Sequence, residues 1–530
     1  NMSMPEKEYL SIKQASKWAT QKLGKKVTSS NIAYLVQYGR IKKYGENGQC
    51  YVLKEELAEY YHNISHNKKE EWTQQLGEDL NWVLAFDKYT EAETTKHVHR
   101  LHPYKGKFIP QLVEYFLDTH TDKFKQEVFF HPGDIVLDPF VGSGTTLVQA
   151  NELGINAIGI DVSAFNVLIS STKIMGYDLQ SLSFELNKLT NGLKNYLMDS
   201  KVFEFEQELL EELSKFNKKF FPVPEFKYKV AHNLIDEKSY TEEKEKEFLP
   251  IYYSLIDKYA IKLQQDKSET FLDKWFSQQI REELEKQAKE LRKIDNVNNR
   301  KLASIILSRT MRSCRATTHS DLATLIEPVT ATYYCKKHGK ICKPQFSILK
   351  WWETYSKDTL KRVMQFAALR TNSTQVCVTG DSRTIDIYDK VKQVNPDFAE
   401  KIKVNGINGI FTSPPYVGLI NYHEQHAYAY DLFNFERNDE LEIGPLYKGQ
   451  GYEARKSYSE SIVQVLLNCK KFLAANYNVF LVANDKYNLY PIIANLSGMK
   501  IVNQYKRPVL NRTEKDKNAY SESIFHFKEK

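Results

Sequence analysis

The chain has 530 residues, 42% of them apolar and 13% aromatic. That excludes a disordered protein and predicts about two to four domains. Lys and Arg number 74 against 67 acids, a net +7 that suits a polyanionic partner without demanding one. No run approaches the ~18 apolar residues of a membrane span, and the polar N-terminus is no secretory signal. Six scattered cysteines (50, 314, 335, 342, 377 and 469) form no disulfide framework, so the reading is a reducing cytoplasm.

In residues 8–62, Ser11 can cap a helix with Ile12, Ala15, Trp18 and Ala19 on one face, and Thr28/Ser29 a second through Ile32, Leu35 and Val36. Arg40–Tyr44, a Gly45–Gly48 turn and Gln49–Val52 predict a β-hairpin wing, and a last helix is expected from Lys54 to His62. The order resembles the winged helix-turn-helix modules of the excisionase and MerR type. That resemblance implies a helix with Ser29 and Ser30 at its start entering a groove of DNA, with Lys42 and Lys43 on phosphates. The alternative is a small packing or protein-interaction domain. Residues 1–65 are assigned to this module and 66–100 to a linker. Three histidines near its end (His97, His99 and His102) have no supporting Cys or carboxylate and predict no metal.

From His102 the chain turns through Pro103-Tyr104-Lys105-Gly106-Lys107-Phe108-Ile109-Pro110 into an amphipathic helix. Asp134-Ile-Val-Leu-Asp138 then reads as a buried strand running through Pro139-Phe140-Val141-Gly142-Ser143-Gly144-Thr145-Thr146 into a helix. Glycines in such a turn let backbone approach a ligand, and the helix N-terminus favours an anionic group. Gly-Lys-Ser/Thr is missing, which argues against a P-loop. Asn156–Asp161 is a second strand ending in an acid at a spacing suited to ribose hydroxyls.

Residues 176–369 interrupt this pattern with charged segments of helical spacing, at Leu209–Phe216, Phe248–Leu263, Phe271–Ile294 and Leu302–Met311. At the tail of this insertion Cys335, His338 and Cys342 are loosely zinc-like, near Cys314 and His319. The Cys-x2–4-Cys spacing is missing, so reduced thiols and no metal are expected. After residue 370 strands and helices alternate again. Val376–Thr379 leads to Asp381, Ile407–Phe411 to Thr412-Ser413-Pro414-Pro415-Tyr416, and Asn478–Asn484 and Ser523–Phe527 are further strands. Two prolines stiffen the turn after the 407–411 strand. It offers a hydroxyl, a carbonyl with no N–H on the next residue, and a flat ring. Tyr422–Tyr430 reads as an aromatic helix; His423 and His426 lack a third ligand for a metal. Arg507–Arg512 reads as a basic loop, either a surface loop or a lining for nucleic acid.

The pair Asp138-Pro-Phe-Val-Gly-Ser-Gly-Thr-Thr146 and Thr412-Ser-Pro-Pro-Tyr416 resembles the amino-group DNA methyltransferases, which methylate cytosine N4 or adenine N6 with S-adenosylmethionine. The likeness covers 100–175 and 375–530, in the family's α order of motifs, with the target-recognition region expected in the insertion. It implies a Rossmann-like, doubly wound α/β sheet, with cofactor part 101–175, insertion 176–369 and catalytic part 370–530. By the same likeness Phe108, Asp138, Pro139, Phe140, Gly142, Gly144, Thr145, Thr146, Asp161, Asp381 and Ser413 hold the cofactor. Ser413, Pro414, Pro415 and Tyr416 do the chemistry, on a base flipped from the duplex. Arg507 and Arg512 join Ser29, Ser30, Lys42 and Lys43 as DNA contacts. Serine at 413 is the family's usual choice for cytosine N4, with adenine N6 the alternative. Carbon methylation needs a Pro-Cys nucleophile, and no Pro-Cys occurs in the chain. The partners implied are double-stranded DNA and a cognate restriction or defence protein, in a cytoplasmic, nucleoid-associated setting. An RNA or protein methyltransferase and a DNA-binding regulator without activity are the rivals.

Overall fold

A computed structural model of the protein describes residues 6–509 and 519–530. Its strands, in chain order, are β1 (Tyr9–Ser11), β2 (Tyr51–Leu53), β3 (Ile135–Asp138), β4 (Asn156–Asp161), β5 (Tyr333–Cys335), β6 (Lys340–Cys342), β7 (Gln375–Thr379), β8 (Ile407–Thr412), β9 (Leu473–Ala483), β10 (Met499–Pro508) and β11 (Ser521–Glu529). The chain divides into two compact units. One joins Asn1–Gln75, Lys194–Glu283 and Arg312–Ile348; the other joins Leu76–Leu193, Leu284–Met311 and Leu349–Lys530.

The second unit is built on a seven-stranded sheet of order β10-β11-β9-β8-β3-β4-β7. The five strands from β9 to β7 are parallel, and β11 and β10 add antiparallel at one edge. Every residue of β3 is buried, as are five of the six in β4. Continuous burial is what a parallel strand covered on both faces requires. Alternate residues of β8 serve opposite layers. Ile410 joins Ile387, Val391, Phe398 and Ile462 from helices Ile387–Val394, Pro396–Asn405 and Tyr452–Lys470. Phe411 faces Phe116 of helix Pro110–Leu117, ring centroids 5.7 Å apart. The sheet is therefore doubly wound, as the sequence predicts. From β3 the chain builds outward to β4 and β7, and then returns to place β8 and β9 on the other side of β3. The reversal falls between β3 and β8, where ligands bind in such sheets.

In the first unit, Ser11 caps helix Ile12–Leu23 and Thr28 caps helix Ser29–Gln37, both through capping boxes. The wing differs from expectation. Its two arms meet only at the Tyr44–Tyr51 pair, and Tyr51–Leu53 bonds instead to β1. The next helix runs to Leu76, well past His62. In the insertion, helices Val202–Phe220 and Glu237–Lys258 bury Phe205, Leu209, Phe216, Phe248 and Tyr252 together. The expected Phe271–Ile294 helix is two, Phe271–Trp275 and Gln278–Leu291. Phe276 is extended, and the Ser277 hydroxyl accepts the Ile280 N–H at 3.3 Å, restarting the helix. No helix among the described residues is long and apolar enough to cross a membrane.

Candidate active site

The carboxyl ends of β3, β4, β7 and β8 converge on one cleft of the second unit, enclosing about 980 Å³ of space partly open to solvent. Its wall takes in Phe108, Pro139, Phe140, Gly142, Thr145, Asp161, Asp381 and the whole turn from Ser413 to Tyr416. Residues more than 270 positions apart in the chain thus meet across the β3–β8 junction. The Thr412 hydroxyl spans it, donating to Asp138 Oδ1 at 2.5 Å.

Three residues expected on the cofactor lie behind that wall. Asp138 is buried, accepting Thr412 and the Phe140 N–H (3.1 Å), so its carboxylate fixes the two turns relative to each other. Burial pushes its carboxyl up to about 6. Thr146 is buried with its hydroxyl 3.5 Å from the Phe411 carbonyl. Gly144 caps the helix Thr145–Glu152 at φ +84°, where an added Cβ would press within 3.0 Å of Ser170. It permits the turn and the close packing of two helices.

Gly142, also left-handed at φ +53°, stands where a Cβ would meet the Tyr104 hydroxyl at 3.1 Å. Its N–H donates to Asp161 Oδ2 at 3.0 Å, while Oδ1 accepts from Ser163 N–H (2.9 Å) and the Asn166 amide (3.2 Å). Burial pushes the Asp161 carboxyl up to about 6. Asp381 is clamped by the Arg383 guanidinium, with Nη2 to Oδ2 at 2.8 Å.

Ser413 and Tyr416 are held from β9 and β11. The Ser413 hydroxyl donates to the Val482 carbonyl at 3.2 Å. With its single proton so engaged, the oxygen offers only lone pairs elsewhere. The Tyr416 hydroxyl donates to Glu522 Oε1 at 2.7 Å, and burial holds its proton well above the usual phenol range. Glu522 in turn pairs with Arg507 Nη1 at 3.0 Å. This corrects the sequence expectation for Arg507. It lies in edge strand β10 and not in a loop, it is 7% exposed, and its Nε donates to the Leu84 carbonyl at 2.7 Å. Its charge is spent inside the protein, supporting the Tyr416 hydroxyl through Glu522. Arg512 lies outside the described residues.

At the first unit's surface, Ser29, Ser30 and Lys42 are exposed and Lys43 is half-buried. His423, fully buried, faces Glu442 with Nδ1 to Oε2 at 3.4 Å. Lys107 and Tyr422, from the turn and the aromatic stretch noted in the sequence, also line the cleft, as do Asn166 and Glu442, which were not singled out. Tyr104 and its neighbours carried a local signal, the Pro-Tyr-Lys-Gly turn. Asn166 and Glu442 sit in ordinary helical and loop sequence.

S-adenosylmethionine presents an ammonium and two ribose hydroxyls, all donors. The cleft meets them with acceptors: the Asp161 carboxylate and the Asn166 side-chain oxygen, buried and without a hydrogen-bond partner. Apolar surface from Phe108, Pro139 and Phe140 suits the cofactor's purine. A doubly wound sheet with this cleft at its reversal point is the architecture of a nucleotide-cofactor enzyme, and its lining fits S-adenosylmethionine. The DNA methylase family (N6_N4_Mtase) matches residues 4–171. Over 528 residues the chain is 48% identical to the Type II methyltransferase M.MjaII of Methanocaldococcus jannaschii, spanning 99% of this chain and 98% of that protein. Shorter stretches match the Type II methyltransferases M.BsoBI of Geobacillus stearothermophilus (35% over 94 residues, 17% of each chain) and M.MvaI of Kocuria varians (29% over 116 residues, 22% of this chain and 24% of that one). The chain belongs to the amino-group DNA methyltransferases, enzymes that act on DNA.

Proposed function

We propose that the cleft transfers a methyl group to the N4 amine of cytosine within a short specific DNA sequence. The observation that carries this reading is the Ser413 hydroxyl, which lines the cleft while donating its own proton to Val482. An exocyclic amine is a poor nucleophile because its lone pair is shared with the ring. Two acceptors on its N–H bonds, Ser413 Oγ and the Pro414 carbonyl, localise that pair on nitrogen. The next residue, Pro415, has no N–H to compete for that carbonyl. Such acceptors, fixed before the reaction, act by positioning and electrostatics and form no covalent intermediate.

The cofactor supplies an electrophilic methyl on a sulfonium. Asp161 and Asn166 orient its polar end, with Gly142 leaving room beside Tyr104; Phe108, Pro139 and Phe140 exclude water, and Asp381 bounds the adenine side. Tyr416 borders both this cleft and a second pocket lined by Tyr458, Asn484, Tyr487 and Tyr520. The target base, flipped from the duplex, stacks on its ring. Residues 29–43 of the first unit contribute phosphate contacts, and the insertion reads the sequence. The setting is restriction-modification or phage defence.

The test is modification-sensitive sequencing of DNA from cells expressing the protein, with Ser413→Ala as control, and mass spectrometry of the digested nucleosides. N4-methylcytosine at one motif, absent from the control, is the expected result. N6-methyladenine would overturn the base assignment alone. Unmodified DNA would overturn the reading as a whole.

A further inference from the structure

The first unit gathers four side chains that methyl transfer does not use. Strands β5 and β6 form a hairpin in which Cys335 pairs across to Lys340 and Cys342 to Tyr333. Its turn, Lys336-Lys337-His338-Gly339, is closed by the Gly339 N–H on the Cys335 carbonyl at 2.7 Å, with Gly339 at φ +63°. His319 comes from the irregular segment before the hairpin. Cys335 Sγ lies 3.4 Å from His319 Nδ1 and 3.4 Å from His338 Nδ1, and Cys342 Sγ lies 3.7 Å from His338 Nδ1. One potential ligand atom from each of the four residues falls within 4.8 Å of all the others.

Those separations match a metal coordination shell. Zinc bound tetrahedrally at ~2.3 Å from sulfur and ~2.05 Å from nitrogen leaves sulfur and nitrogen about 3.5–3.6 Å apart along each edge. Single contacts at this distance also suit sulfur–nitrogen hydrogen bonds, and His319 Nδ1 lies 3.0 Å from the Tyr333 hydroxyl; what points to a metal is that all four ligand atoms gather on one place. The cysteines are free thiols, both buried, against Tyr333 and Val329.

We propose that His319, Cys335, His338 and Cys342 bind one structural zinc ion. The donor set of two thiolates and two imidazoles is closed, with no position left for water or substrate, so the site is structural and not catalytic. Binding releases the thiol protons to solvent. The ion ties an irregular segment to a short hairpin. That hairpin is anchored on helix Val202–Phe220, where the Asn217 amide bonds the Ile341 backbone in both directions at 3.0 Å. Tyr334 of the same hairpin stacks on Phe221 with centroids 5.5 Å apart. A three-residue strand pair has little stability of its own, so a metal is an effective means of holding this part of the insertion in one shape. The ligands escape a linear motif search because a histidine stands where the second cysteine of a Cys-x2-Cys pair is expected, and because the fourth ligand lies well before the hairpin.

The experiment is metal analysis of the full-length protein, purified without chelator from zinc-supplemented cells. About one zinc per chain is expected. It should be lost in Cys335→Ser/Cys342→Ser, and cobalt(II) should replace it with tetrahedral d–d bands and a thiolate charge-transfer band. Should the serine variant be insoluble, the metal content and cobalt spectrum of the unaltered protein decide. Zinc below about a tenth of an equivalent with no thiolate–cobalt band would overturn the proposal, as would a full complement of zinc retained by the soluble serine variant.

Discussion

Replacing Ser413 by alanine removes one hydroxyl and leaves the prolines, the Tyr416 ring and the Pro414 carbonyl in place. The lost interaction is a hydrogen bond from an amine that gains positive charge as the methyl is transferred, and bonds of that kind contribute about 1.5–3 kcal/mol. At about 1.4 kcal/mol per tenfold, the single-turnover rate should fall by roughly 10- to 150-fold. The Val482 carbonyl also loses its donor, but it lies in a strand within the ladder between β9 and β11, so the stability cost is held to about 1 kcal/mol. The assay is single-turnover transfer of labelled methyl to duplex DNA, with cofactor affinity measured separately by calorimetry. Affinity should stay within about threefold, since Asp161 and Asn166 are untouched. A rate within about threefold of the parent would refute the role given to this hydroxyl. A fall in cofactor affinity that accounts for the whole loss would do the same.

Burial raises both the Asp161 and Asp138 carboxyls from 3.8 to about 6, so the folded state holds protons there that the unfolded chain has released. Their contribution to stability is therefore full below about 4 and is lost as pH rises through 6, while cofactor binding, in which we propose that Asp161 acts as a carboxylate, should strengthen over the same window. Asp161→Asn should flatten the binding profile, and calorimetry from pH 5 to 8 would show a slope unchanged by the substitution if the assignment fails. Glu522→Ala leaves the Arg507 guanidinium buried without its carboxylate and should cost about 3–5 kcal/mol in urea unfolding. Glu522→Leu with Arg507→Met should recover most of that loss; no recovery would mean the pair is not coupled. Lys42→Glu with Lys43→Glu should weaken DNA binding evenly across sequences and lower the salt slope by about 2. An unchanged slope would make the N-terminal module a packing domain.

Much of the catalytic fold is legible in the sequence, because its signals are local. Ile135–Asp138 and Asn156–Asp161 are apolar runs ending in acids, Gly142 sits in a turn that needs positive φ, and Ser413–Tyr416 cannot continue a strand. Ser11 and Thr28 announce their helices in the same way, each cap being satisfied within three residues. What the sequence leaves open is decided by contacts across long separations. Arg507 reads as a basic loop residue because nothing near it in the chain shows that Glu522 and the Leu84 carbonyl await it. Asp138 reads as a cofactor ligand, and only the tertiary structure shows that Thr412, on the neighbouring strand, bonds its Oδ1. His319 joins Cys335, His338 and Cys342 only once the insertion folds. Backbone preference and apolar periodicity act within a few residues and can be read along the chain. Which buried charge finds which partner depends on where the sheet and the insertion bring distant side chains together, and only the tertiary structure decides that.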